Sequence, residues 1–156
     1  MAIYARFAAV EGGALTVGRE GWIDILSLEW SAGWSESTAG RRGSRASAQV
    51  DDMVLTMLYD KAAPVLQAYC LKGKSIDKLE VELTQEQGGS DESYLRYELQ
   101  EVVITSYQTR AEAGDDMPAG VILSCRFRGM KVVYTEFAAD GSARGSVECK
   151  YKRGKS

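Results

Sequence analysis

The chain has 156 residues, 45% of them hydrophobic, with 19 basic and 22 acidic side chains and a formal charge of −3. That length suits one domain over residues 1–156 with a real core, and the interspersed charges give neither a broad basic footprint for nucleic acid nor a polybasic patch for membrane insertion. Histidine is absent, which removes the commonest general base, the usual triads and most zinc sites.

Nearly every segment alternates with a period of two. Ala2 to Val10 places Ile3, Ala5, Phe7 and Ala9 on one face of a first strand. Trp22 to Trp34 reads as a second, with Trp22, Leu26, Leu28, Trp30 and Trp34 toward the core and Ser27, Glu29 and Ser31 toward water. Glu36 to Ala46 is rich in Gly, Ser and Arg and has no apolar period, which predicts a long loop with a functional role. Gln49 to Tyr59 then alternates Met53, Leu55, Met57 and Tyr59 against polar neighbours.

Asp60 to Gly73 departs from this pattern. Ala62, Val65, Leu66, Tyr69 and Cys70 recur at spacings of three and four, the single apolar stripe of a helix that needs a sheet beneath it. Asp60 suits the start, Pro64 the first turn, and Gly73 after Lys72 a left-handed stop. Beyond it, Ile76 to Thr84 sets Leu79, Val81 and Leu83 against Lys78, Glu80, Glu82 and Thr84, a half-solvated antiparallel strand. In Tyr94 to Tyr107 the apolar phase shifts from Leu95, Tyr97 and Leu99 to Val102 and Ile104, which predicts a bulge or bend. Val121 to Tyr134 and Ser146 to Lys152 complete the strands, the last with Val147, Cys149 and Tyr151 inward and a turn at Asp140 and Gly141 before it. About seven strands and one helix make the fold mainly β: an antiparallel β-barrel or sandwich with a single docked α-helix.

Chemistry is hard to find along this chain. Cys70, Cys125 and Cys149 lie far apart among apolar neighbours, as buried small hydrophobes do, so neither a disulfide framework nor a metal site is expected. Asp51 with Asp52 and Asp115 with Asp116 lack the further oxygen ligands that a hard cation needs. The Gly-Lys-Ser runs at Gly73 and Gly154 lack the upstream glycine of a phosphate loop. No cofactor or catalytic role is expected. The opening residues lack the pattern of a Sec-type signal peptide and no stretch is long and apolar enough for a membrane-spanning helix, so synthesis in the cytoplasm is expected.

Three groups of residues carry a family resemblance. They are Ile23-Asp24-Ile25-Leu26-Ser27 with Trp30, Asp60-Lys61-Ala62-Ala63-Pro64 followed by Leu66, and Val132-Val133-Tyr134 with Asp140-Gly141. In this order and spacing the chain resembles Hcp, the haemolysin-coregulated protein that forms the inner tube of the type VI secretion system. The resemblance implies a small barrel with one helix, homohexameric rings stacked head to tail, and export through the type VI apparatus. It also implies spike, sheath and effector proteins as partners. Within that frame, Gly33 to Ala46 with Arg41, Arg42 and Arg45 is the candidate stacking loop, facing acids such as Glu11, Asp115 or Asp116 on the next ring. Ser27, Glu29 and Ser31 are the candidate lumen face. Two other readings stand beside it: a tail-tube protein of a phage-like contractile particle, and a monomeric ligand-binding barrel using the tryptophan face.

Overall fold

Residues 1–37, 45–114 and 116–154 are described by the computed structural model. In chain order the elements are β1 (Ala2–Phe7), β2 (Ile23–Glu29), β3 (Ala32–Ser37), β4 (Arg45–Val50), β5 (Met53–Leu58), α1 (Ala63–Lys72), β6 (Ile76–Gln87), β7 (Ser90–Arg110), β8 (Gly120–Arg126), β9 (Gly129–Phe137) and β10 (Ala143–Lys152). Every strand pairing is antiparallel. The order β7-β6-β1-β2-β5-β8 returns to β7 through the β7–β8 pairing, which closes a six-stranded barrel. β9 and β10 extend the sheet outward from the first half of β7, and β3 with β4 forms a separate two-stranded arm.

The barrel is filled by the inward half of each alternating strand. Phe7, Met53, Leu55, Met57, Leu79 and Leu123 are fully buried and belong to one core cluster. At about 1.5–3 kcal/mol for each large apolar side chain, that filling is the main stabilising term. The three tryptophans are dispersed. Trp22 joins a satellite cluster with Tyr4 and Ala14, Trp30 packs tilted against Phe127, and Trp34 is 69% exposed on the arm.

α1 bridges β5 and β6, which the sheet order separates by β1 and β2, so the helix crosses the barrel end and packs against β7. Ala62, Ala63 and Leu66 are fully buried, while Tyr69 and Cys70 are half-buried. Val65, placed on the stripe by its spacing, is 40% exposed, because the buried face is narrower than the apolar period suggests. Asp60 serves the start from just outside: its carboxylate accepts from the Ala62 N–H at 2.8 Å and the Gly13 N–H at 2.9 Å, tying the helix to the β1–β2 loop. Gly73 ends the helix at φ 60°, with its N–H donating to the Cys70 carbonyl at 3.1 Å.

Other expectations from spacing change. In β2 the odd residues Ile23 and Ile25 are buried, not the even ones. A register shift against β5 between Ile25 and Ser27 then inserts Leu26 as an extra residue, 56% exposed, and turns Leu28 and Trp30 inward beyond it. The stretch from Val121 to Tyr134 is two strands, broken at Phe127 and Arg128. β10 is an edge strand, so Val147 is 73% exposed and Cys149 is exposed, while Tyr151 is half-buried. Tyr59 and Ala9 also point outward, the latter where β1 has ended and the backbone turns left-handed at φ 65°.

Leu66→Ala is expected to lower unfolding stability by about 2–5 kcal/mol, the cost of a cavity under a fully buried leucine. Denaturant titration checks it; a near-neutral midpoint would show that α1 does not seal the barrel.

Candidate functional site: the assembly surfaces

Among the described residues no group of three or more Cys, Asp or Glu is placed to hold a metal. Cys125 sits inside the barrel, where burial pushes its thiol up to about 12 and leaves it inert. Asp51 and Asp52 have structural partners. The Asp51 N–H donates to the Ser31 carbonyl at 3.1 Å, Ser31 Oγ donates to Asp51 Oδ2, and Trp30 Nε1 donates to the Asp51 carbonyl at 2.9 Å. Thr105 Oγ1 donates to Asp52 Oδ2 at 2.6 Å. These bonds fasten the base of the arm to the barrel.

The arm itself pairs Ala32 with Val50 through Ser37 with Arg45 and, among the described residues, is paired with no other strand. The segment read as an aperiodic loop is therefore partly strand. Arg41 and Arg42 lie outside the described residues, and of Arg45 only the backbone, opening β4, is described. An isolated hairpin is marginal in water, and this one carries Trp34 in the open.

Two outer walls differ in chemistry. Across β2, β5, β8 and β7, pairing sets Ser27, Thr56, Ile122 and Gln108 in one row and Glu29, Val54, Ser124 and Ser106 in the next, a mostly neutral polar surface with one carboxylate. Ser27 and Glu29 are exposed on that wall, while Ser31 lies beyond β2 at the arm's base. Across β1, β6 and β7 the wall is ionic. Arg6 Nη2 donates to Glu80 Oε1 at 2.8 Å, Arg96 pairs with Glu80 from the other side, and Arg19 Nε donates to Glu82 Oε2 at 3.1 Å. Arg6 lies 4.6 Å over the Trp22 ring and Arg19 5.2 Å over Tyr4. Glu80 and Thr84, expected to be wet by alternation, are buried, Glu80 between Arg6 and Arg96 and Thr84 with its Oγ1 donating to the Ala2 carbonyl at 3.1 Å. Burial works to raise the Glu80 carboxyl, but the hydrogen bond and charge of Arg6, joined by Arg96, outweigh it and hold it below its ordinary value of 4.5.

The inner face of the barrel continues onto the β9–β10 extension. Ile3, Leu83, Leu95, Tyr134 and Val147 fall in register, as do Ala5, Val81, Tyr97, Val132 and Cys149. Exposure rises along the first row, from half-buried Leu83 and Leu95 to 48% at Tyr134 and 73% at Val147. The barrel's apolar face thus runs past the barrel into the open.

A six-stranded barrel closed by a helix, with a projecting arm and an open sheet extension, has close structural counterparts. The family model described as "Type VI secretion system effector, Hcp" matches residues 4–138. The chain belongs to the Hcp family of type VI secretion tube proteins. The protein Hcp1 of Pseudomonas aeruginosa is 31% identical over 97 residues, covering 62% of this chain and 59% of that protein. The aligned part thus spans well under two thirds of that relative. A structure described as a type six secretion system protein superposes with a TM-score of 0.85 at 21% identity, covering 97% of this Hcp-family chain and 94% of the other. A type VI secretion effector from Yersinia pestis gives 0.78 at 23% identity over 96% and 98% of the two chains. Hcp1 from Salmonella typhimurium gives 0.76 at 18% over 97% and 93%. At these identities the likeness is one of fold.

A depressed folded-state pKa at Glu80 contributes stability that is present above its unfolded value and lost as pH falls through the folded one. Wild type should therefore lose stability relative to Glu80→Gln as pH drops below about 4.5, the ordinary carboxyl value. Thermal melts of both proteins from neutral to acid pH should converge; a gap independent of pH would mean that the Arg6–Glu80–Arg96 pairing contributes nothing ionic.

Proposed function

We propose that this chain is a structural, exported subunit of the type VI inner tube, forming homohexameric rings that stack head to tail and carry effector proteins through their lumen. Spike and sheath proteins are its other partners, and it leaves the cell through the apparatus itself. The observation that carries this is a filled barrel whose outward elements are incomplete alone. The arm has no third strand, β10 has a free edge, and the row ending in Tyr134 and Val147 has no cover among the described residues. Contacts between different patches on identical copies close into rings or run on as stacks according to their rotation. Within this proposal the polar wall at Ser27 and Glu29 faces the lumen, where neutral hydroxyls hold cargo loosely. The arm, with Trp34 and the arginines Arg41, Arg42 and Arg45, reaches the neighbouring ring. No catalytic role is assigned.

Native mass spectrometry of the purified protein is expected to show a six-chain species. Reversing the charge of Arg41, Arg42 and Arg45 together should weaken ring-on-ring association while leaving the six-chain mass in place. A wild type that stays monomeric at high concentration contradicts the tube subunit outright.

A further inference from the structure

The two ends of β6 carry opposite charge. At the β6–β7 turn, Glu86 pairs directly across from Asp91 and Gln85 from Glu92. Like charges placed opposite each other in a ladder repel. Glu86, Asp91 and Glu92 are exposed and form no ion pair among the described residues. The β9–β10 turn is packed against this one: a Cβ on Gly141 would fall 2.7 Å from the Gly88 Cα, so the two turns touch backbone to backbone. That contact brings Asp140 to the same end, where hydrogen bonds from the Ser142 hydroxyl and N–H hold its carboxyl below the usual range. Arg144, the nearby cation, is already engaged with Glu136 at 3.7 Å. The tip is a concentrated, unneutralised acidic surface on two abutting turns.

At the start of β6 lies the converse. An open cleft of about 810 Å³ is lined by Ser75, Glu101, Arg126, Arg128, Lys152 and Arg153, with others. Glu101 is its one acid and is paired with Arg128 at 3.4 Å. Arg126 and Lys152 are exposed and have no ion pair among the described residues, and Arg153 turns its Nε toward the Phe127 carbonyl at 3.3 Å. Four cations against one carboxylate is a strong local excess in a chain whose formal charge is −3. β6 has twelve residues, so tip and cleft stand roughly 40 Å apart along one strand direction. A copy cannot bring its own tip into its own cleft.

We infer that the basic cleft of one copy receives the acidic double turn of another, the copies lying end to end in the same direction. This rests on the tube-subunit proposal and supplies it with a contact between successive rings that does not use the arm. Because donor and acceptor surfaces sit at opposite ends, the contact does not close on itself. It propagates as an open stack, as heterologous interfaces do. Being made of exposed charges, it weakens as salt rises.

The test uses two charge-reversed proteins, one with Glu86→Lys, Asp91→Lys and Glu92→Lys, the other with Arg126→Glu and Lys152→Glu, the two exposed cleft cations that hold no ion pair among the described residues. Sedimentation velocity and negative-stain microscopy follow stacking at about 0.05 M and about 1 M salt, and native mass spectrometry follows the ring. Wild type should stack at low salt and disperse at high salt. Each variant alone should keep its rings and lose ring-on-ring association by about tenfold or more, since like surfaces now meet. Mixed one to one, the variants should stack again in alternation, because each reversed, basic tip meets a reversed, acidic cleft and each native acidic tip meets a native basic cleft. The neutral set Glu86→Gln, Asp91→Asn and Glu92→Gln guards against misfolding. It relieves the repulsion across the turn, so its melting temperature should hold or rise while stacking falls. Stacking unchanged in either reversed variant, no rescue on mixing, or wild-type rings that never associate at low salt would overturn the contact while leaving the ring intact. Absence of the ring in wild type would instead remove the tube-subunit proposal beneath it.

Discussion

β7 is the element on which the rest depends. It has 21 residues, and its edges serve β6 along one side and β9 then β8 along the other. A straight strand could not do this, because a sheet closing into a barrel must bend away from the extension that continues past it. The bend falls at Glu101, whose φ of 50° is left-handed, a conformation costing about 1–3 kcal/mol in a residue other than glycine. Leu99 and Val102, three apart, are consequently both fully buried. The Arg128 N–H donating to the Gln100 carbonyl at 3.0 Å and the Arg128–Glu101 ion pair hold the bend where β8 gives way to β9. A register shift against β8 between Ile104 and Ser106 resets the phase, so that Tyr107 lies opposite Leu123.

From that bend follow both the closed barrel and its opened flank. Beyond the barrel the same inward face has no opposing wall among the described residues, so apolar side chains that would be core elsewhere become surface at Tyr134 and Val147. The other side of the sheet is neutralised internally by Arg6, Arg19, Arg96, Glu80 and Glu82. A chain of the Hcp family thus fills its barrel with apolar side chains and carries its charged groups on the outer walls.

The parts legible in the sequence are those fixed by local pattern. Met53, Leu55 and Met57 alternate and are all fully buried, and Gly73 stops the helix as its place after Lys72 foretells. The phase change between Leu99 and Val102 announces the bend in β7. What stayed hidden depends on contacts from far along the chain. Leu26 reads as core by alternation with Leu28 and Trp30, yet it is itself the extra residue of β2, left outside at the point where the buried face switches from Ile23 and Ile25 to Leu28 and Trp30. Glu80 reads as wet, yet Arg6 on β1 and Arg96 on β7 close over it and neutralise it. Trp34 and Cys149 read as buried because they are apolar, whereas an arm and an edge strand expose them; only the sparse apolar content of Ala32–Ser37 hinted at that. Of the candidate surface, Ser27 and Glu29 share a polar wall as their spacing implied, and Ser31 is drawn off it by Asp51.

The barrel closes within one chain, whereas the arm and the outer edge of β10 are left unpaired among the described residues. Amide hydrogen exchange on dilute and on assembled protein addresses that division most directly. Assembly should slow exchange in the β3–β4 arm and along the free edge of β10, while the amides of β1 and β5, already paired on both sides, change little. Equal exchange in the arm and β10 in both states, or new protection confined to the barrel strands, would contradict it.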